Sequence, residues 1–327
     1  MSVVSYYVLA RRAVLLSACG FSIAICLGTM IGQISASNFF LLEALVSFLP
    51  QILLVCAVIA VISFRWHPRL AGGVATITVL ASLPFLTFSK FQSPNGQQCQ
   101  PGECLTILTV NLWGESEFLP PLSYIVDDYE LDILAINEAT EISANPTYGR
   151  YRFPRFDTSI HATWLTMPRG MGNPISLFSN VPLAESDKVL RSDTGRRAYI
   201  FADLDGAWKG VRIVVAHART PTSPTGLGHR NALLSVVGDV AEQAESYVLL
   251  GDFNLTAWSP TFRTLPGRRA GDPRFSRTWP SQFPPLGMSI DHIMFSDDLE
   301  LVEFRVLGSI GSDHFPILAK FKRKTRL

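Results

Sequence analysis

Hydrophobic patterning divides the chain. Its first third holds three uncharged apolar runs, Ala13–Ile34, Ala44–Phe64 and Ala71–Ser89. A bilayer-spanning helix needs about 20 predominantly apolar residues. The first two runs meet that length. The third is shorter and carries Pro84, which membrane helices tolerate. A single cleaved signal segment would account for one run, not three. The pattern therefore predicts three transmembrane helices, at about 13–34, 44–64 and 71–89, within an anchor covering residues 1–92.

Past residue 92 the pattern changes. Ser93–Gly102 is rich in Pro, Gly, Asn and Gln and reads as a linker, placed at 93–104, ahead of a domain at 105–327. Short β-branched or apolar runs then recur: Leu105–Val110, Ile133–Ile136, His161–Thr166, Ile175–Ser179, Arg197–Leu204, Val211–Ala216, Tyr247–Leu250, Ile290–Phe295, Leu301–Val306 and Phe315–Phe321. Gly, Pro and Asn punctuate them, which favours mostly antiparallel sheets. Helical stretches fall near Pro120–Tyr129 and Asn231–Glu245. The expected class is α+β, preceded by the three membrane helices.

Charge reinforces the division. Of 28 basic and 27 acidic residues, only Arg11, Arg12, Arg65, Arg69 and Glu43 lie before residue 90, leaving 24 basic and 26 acidic residues beyond it. Basic residues flank the first run and fill the loop between the second and third, so the positive-inside rule puts the amino terminus in the cytoplasm. Three crossings would then place the domain outside, at the periplasmic face of a cell inner membrane. Cys19, Cys26 and Cys56 fall inside the apolar runs and read as packing residues. Cys99 and Cys104 lie outside them, where an oxidising compartment would allow a small disulfide loop. A domain charge of −2, with its basic run at the carboxyl end (Lys320, Lys322, Arg323, Lys324, Arg326), disfavours a nucleic-acid partner.

Candidate chemistry sits at the strand ends. Gly251-Asp252-Phe253-Asn254 closes one strand, and in an extended chain Asp252 and Asn254 would point the same way. Alone, that stretch is an ordinary turn. However, Asn111, Glu138, His217, Asp291-His292 and Asp313-His314 also border apolar runs. So many acids, amides and imidazoles at strand ends suggest one shared site.

This set resembles the endonuclease/exonuclease/phosphatase (DNase I-like) superfamily, from about Leu105 to Lys322. Gly251-Asp252-Phe253-Asn254, Ser289-Ile290-Asp291-His292 and Gly311-Ser312-Asp313-His314-Phe315-Pro316 carry the resemblance most specifically. Thr109-Val110-Asn111, Asn137-Glu138 and Val215-Ala216-His217 carry it more loosely. It implies two packed sheets flanked by helices and metal-dependent phosphoester hydrolysis with Mg²⁺ or Mn²⁺, since all-oxygen donors suit hard cations. By the same resemblance Glu138, Asn111 and Asp313 form the metal set. Asp252 orients the attacking water, and Asn254 holds that water or the phosphate. His314 is the catalytic histidine, oriented by Asp291, and His217 binds phosphate or transfers protons. His292 is structural or peripheral.

Two departures bear on substrate. Asn137 stands where the family often has Gln before the metal glutamate, and the mid-domain tyrosine of abasic-site enzymes has no match. Arg169, Arg219 and Arg230 are further cations that could meet a phosphate. Trp258 and Trp279 either line the site or pack. The layout resembles a membrane-anchored bacterial branch of the superfamily. The substrate it implies is a phosphate or pyrophosphate ester at the outer membrane face, with a lipid-linked polyprenyl pyrophosphate as one form. An extracytoplasmic Mg²⁺-dependent nuclease and a non-catalytic anchored binding module are the rival readings.

Overall fold

The computed structural model describes residues 3–35, 39–97, 99–100, 102–114, 116–140, 142, 145–162, 174–191, 193–194 and 197–324. Contacts divide the chain into two units, residues 1–88 with 258–260, and the remainder.

The first unit is helical. Its helices are α1 (Val3–Ser35), α2 (Phe40–Ser47), α3 (Leu49–Ser63) and α4 (Pro68–Leu86). Two of them, over Tyr7–Ser35 and Pro68–Leu86, are long and apolar enough to cross a membrane. The second expected span is different: α2 and α3 meet at a 69° bend. Pro50 sits in the first turn of α3, where its missing N–H removes no intrahelical bond, so a new helix starts there instead of α2 continuing. Three continuous spans are thus corrected to two, or three if the bent pair counts as one. Cys19, Cys26 and Cys56 are buried free thiols in this unit, packed with Ala60, Val74 and Ala81. Trp258 packs against Phe85 with ring centroids 4.5 Å apart, so it serves packing.

The second unit holds two mixed sheets flanked by helices. Its strands are β1 (Phe91–Gln92), β2 (Leu105–Asn111), β3 (Ile133–Asn137), β4 (Thr158–Ala162), β5 (Ile175–Ser179), β6 (Leu183–Arg191), β7 (Arg197–Leu204), β8 (Val211–Ala216), β9 (Ser246–Asp252), β10 (Arg268–Ala270), β11 (Asp291–Phe295), β12 (Leu299–Val306) and β13 (Ile317–Arg323). One sheet runs β1-β10-β11-β9-β8-β7-β6 and the other β12-β13-β2-β3-β5-β4. The pairs β1/β10, β2/β3 and β8/β9 are parallel and the rest antiparallel. Leu105, Ile107, Ile133 and Ala135 of one sheet share a buried cluster with Ile213, Val215, Val248 and Leu250 of the other. The outer face of the six-stranded sheet buries Leu108, Val110 and Leu134 against Leu119, Leu122 and Val126 of α5 (Leu119–Asp128).

Local differences from the sequence reading have physical causes. The helix expected from Asn231 begins at Pro224, because the Ser223 side chain caps it by accepting from Gly226 N at 3.1 Å and proline suits its first turn. Strand β6 was missed: it is an edge strand, largely exposed, without an apolar alternation to mark it. The expected His161–Thr166 strand starts earlier, at Thr158, and is described as far as Ala162; 163–166 lie outside the described residues, as do Arg169 and Arg326. Cys99 and Cys104 form a disulfide, with Cα atoms 5.8 Å apart.

Candidate active site

Strand registers bring the polar ends together. Asn111 is the partner of Asn137 across β2/β3, and Asp252 the partner of Asp291 across β9/β11. Asn137 Nδ2 ties the sheets by donating to Ala216 O at 3.1 Å. Gly251 makes the close approach possible. Its φ is +131°, and a Cβ there would lie 2.0 Å from Ala216 O. That backbone geometry and clearance admit only glycine.

Two further residues sit in left-handed backbone, Glu138 at φ 60° and Asn254 at φ 47°. Asn254 closes a side-chain turn: its N–H donates to Asp252 Oδ1 at 2.9 Å and its Nδ2 to Asp252 Oδ2 at 3.1 Å. Asp252 and Asn254 therefore converge through a turn, not through extended-chain alternation. Asn254 Nδ2 also donates to Ala218 O at 3.0 Å.

Around Asp252 the expected residues form one cluster. Asn111 Nδ2 donates to Glu138 Oε1 at 3.2 Å and to Asp252 Oδ2 at 3.1 Å, while its Oδ1 accepts from Trp113 N at 2.8 Å. The amide thus braces both carboxylates. His217 Nε2 lies 3.4 Å from Glu138 Oε1 and 3.4 Å from Asp252 Oδ2. His314 Nε2 lies 4.0 Å from Asp252 Oδ2 and 3.9 Å from Asp313 Oδ1, and its Nδ1 is 2.8 Å from Asp291 Oδ2. Asp252, Asp291 and the two histidines are buried, whereas the Glu138 side chain is 26% exposed and faces solvent.

Electrostatics follow from that packing. Burial works against charge on Asp252, but the His217 hydrogen bond and the charges of His314 and His217 outweigh it and hold the carboxyl well below its usual range. Burial also opposes a charged His314, yet Asp291, then Asp252 and Asp313, push it up to about 10. Asp291 is raised by burial, against the pull of His314. The pair keeps one proton, and with three carboxylates around the ring that proton belongs on His314.

The sequence reading placed His292 as structural or peripheral, and its surroundings are structural. It is fully buried, with Nδ1 accepting from Arg269 Nε at 2.8 Å and Nε2 donating to Leu255 O at 2.7 Å. Burial, with Arg269 beside it, pushes it down to about 3. Arg230 is buried behind the Asp252 loop, bonded to Asn231 Oδ1 at 2.8 Å and Asn254 O at 3.3 Å, while Arg219 is exposed. Trp279 lines the site, its Nε1 donating to Asp313 Oδ2 at 3.0 Å. Thr278 Oγ1 accepts from Ile290 N and Asp291 N at 3.2 Å each, and Ser312 Oγ donates to Asn111 O at 2.6 Å. Sequence reasoning had assigned Thr278 and Ser312 no role, although Ser312 lies inside a motif it had quoted.

Two sets of residues could hold a metal ion. Asp252, Asp291 and His314 each offer one ligand atom within 4.8 Å of the others. An ion there would have to displace the His314 proton and the bond to Asp291. Glu138 is the better anchor, being the most exposed carboxylate of the cluster, its side chain 26% exposed against 19% for Asp313. Asp313 Oδ1 is buried and, among the described residues, has no hydrogen-bond partner, so it has a lone pair to offer a cation. Hard oxygen donors of this kind fit a divalent ion.

A buried acid–imidazole–amide cluster at the joined ends of two packed sheets defines a phosphoesterase-type site. The chain belongs to the endonuclease/exonuclease/phosphatase family, whose model matches residues 108–314, and whose members are phosphoester hydrolases generally dependent on divalent metal. No curated protein matches the sequence. Among solved structures, a humanized D. rerio TDP2 matches with TM-score 0.55 and 17% identity, covering 68% of this chain and all of that one. An endonuclease/exonuclease/phosphatase from Beutenbergia cavernae gives 0.53 at 15% identity, over 68% and 72%. The human Nocturnin catalytic domain gives 0.51 at 14%, over 68% and 95%. At such identities the shared property is the fold.

Proposed function

We propose that the protein is a membrane-anchored, divalent-metal-dependent phosphoesterase acting on a lipid-linked phosphate or pyrophosphate ester at the outer face of the membrane. The convergence of Asn111, Glu138, His217 and Asp252 within 3.4 Å carries the catalytic part.

Glu138 and Asp313, with Asn111 beside them, would hold Mg²⁺ or Mn²⁺. When bound, that ion would neutralise phosphate charge and polarise the ester. Asp252, kept ionised, accepts a proton from water and orients it toward phosphorus. Asn254 fixes the Asp252 carboxylate through both of its hydrogen bonds. His217 Nε2 faces both carboxylates and is placed to donate to a phosphate oxygen. His314, charged and held by Asp291, donates from Nε2 toward the developing negative charge.

Two observations support a lipid-linked substrate. The first unit contains helices apolar enough to span a membrane. Beside His314, Phe315 helps line an open, mostly apolar cleft of about 490 Å³ with Arg277, Pro284, Pro285, Val306 and Leu307. Phe275 on its rim is 84% exposed. Such a surface suits an acyl or isoprenoid chain better than a nucleic-acid backbone. The Cys99–Cys104 disulfide supports an oxidising compartment. If the bent α2–α3 pair counts as one crossing, positive-inside orientation also places residues beyond 89 outside.

Purified full-length protein in detergent, assayed with Mg²⁺ or Mn²⁺ against a polyprenyl pyrophosphate, phospholipids and DNA, tests the reading. Release of phosphate from the lipid substrate is expected. Preferential cleavage of DNA would make the protein a nuclease, and no metal-dependent hydrolysis would leave a binding module.

A further inference from the structure

We propose that Arg197 is the anion receptor of the site, receiving the terminal phosphoryl group of a monoester or pyrophosphate. This rests on the phosphoesterase reading and specifies which phosphates it takes.

The register places Arg197 at the right end of the sheet. Strand β7 begins at Arg197 and pairs antiparallel with β8, Tyr199 opposite Ala216. Two residues back along β7, Arg197 lies beside the segment that leaves β8 through His217 and Ala218. That segment carries the imidazole facing Glu138 and Asp252, and the Ala218 carbonyl that holds Asn254. Glu138 and Asp252 both attract the Arg197 charge, and exposed Arg219 repels it. Burial lowers Arg197 to about 10, which leaves it charged at neutral pH.

What sets Arg197 apart is the state of its guanidinium. Its Nη1 is shielded from solvent and has no hydrogen-bond partner among the described residues. Two other arginines of the same sheet are satisfied. Arg269 donates to His292 Nδ1, Ser289 Oγ and the carbonyls of Ala270 and Gly271. Arg212 forms a two-point pair with Asp203 at 2.7 Å on each arm. A buried donor left open beside a catalytic cluster is costly to the free protein. It is repaid when a ligand supplies the acceptor.

The acceptor should be a phosphoryl group. A planar guanidinium fits two oxygens of a phosphate in a two-point contact. A terminal phosphoryl group has three non-bridging oxygens, so two can meet Arg197 while the third faces the Glu138 side of the site. A diester offers only two, and must give up one of these contacts. The arrangement therefore favours monoesters and pyrophosphates over diesters.

Calorimetric titration of the full-length protein in detergent with inorganic orthophosphate, for wild type, Arg197→Met and Arg197→Lys, tests this. Melting temperatures would be recorded alongside. Arg197→Met is expected to weaken orthophosphate binding at least about tenfold, with Arg197→Lys between it and wild type. Its KM for p-nitrophenyl phosphate should rise more than kcat falls. Hydrolysis of bis(p-nitrophenyl) phosphate should change less. The melting temperature should hold or rise, since an unpaired buried charge is removed. Wild-type orthophosphate affinity in Arg197→Met would overturn the proposal. A lower melting temperature with KM unchanged would do so as well, by showing a structural arginine. If the wild type hydrolyses no phosphate ester, the enzyme reading fails while the orthophosphate titration still decides the anion site.

Discussion

Asp291 Oδ2 stands 2.8 Å from His314 Nδ1, and Asp291 is also the cross-strand partner of Asp252. One backbone register therefore sets both the carboxylate that orients water and the carboxylate that orients the imidazole. Asp291→Asn is expected to keep the fold and lower kcat by about 10-fold or more, since an outer partner of a catalytic group typically contributes that much. His314→Ala should lose about 10²–10⁴-fold. The double variant should be little worse than His314→Ala alone, because the two act as one unit. Steady-state kinetics of the three variants check this; additive losses would separate Asp291 from His314.

Gly251 is a structural requirement of the same site. Its φ of +131° and the 2.0 Å approach of an added Cβ to Ala216 O leave no room for a side chain. Gly251→Ala should destabilise the domain by more than about 2 kcal/mol and abolish activity by displacing Asp252. Melting temperature and activity report it; a variant with wild-type values for both would mean the β8/β9 end is looser than described.

The Arg269–His292–Leu255 chain makes a pH prediction. His292 is held neutral, pushed down to about 3 from 6.5. The unfolded chain takes up the proton first as pH falls, so this contribution is full above 6.5 and declines as pH falls toward 3. The slope is about 1.4 kcal/mol per pH unit where only the unfolded form is protonated. His161, pushed to about 4 by burial and then by Lys188 and Arg150, adds to the same loss. His292→Gln should be less stable at pH 7.5, because Arg269 and Leu255 lose a partner. Its acid-side decline should be shallower than that of the wild type. Melting curves from pH 7.5 to pH 4 decide it, and an unchanged slope would remove His292 from the account.

Much of this was legible in the chain. The apolar strands and their polar ends, from Asn111 to His314, were marked by residue type, because buried strands and catalytic ends differ so sharply in chemistry. The break at Phe48–Leu49 was not, since α2 and α3 are both apolar and only Pro50 marks the turn. Nor was the way Asp252 meets Asn254, because alternation assumes an extended chain and the left-handed Asn254 violates it. Arg197 was invisible: it opens an ordinary strand, and only packing shows that its Nη1 lacks a hydrogen-bond partner among the described residues.

The most direct measurement of the central claim is phosphate release from a polyprenyl pyrophosphate by purified full-length protein, with Mg²⁺ and then with excess chelator, for wild type and Asp252→Ala. The account predicts release by the wild type that is lost with chelator, and a loss of at least about 10²-fold in Asp252→Ala at unchanged melting temperature. Wild-type release by Asp252→Ala, or release unaffected by chelator, would contradict it.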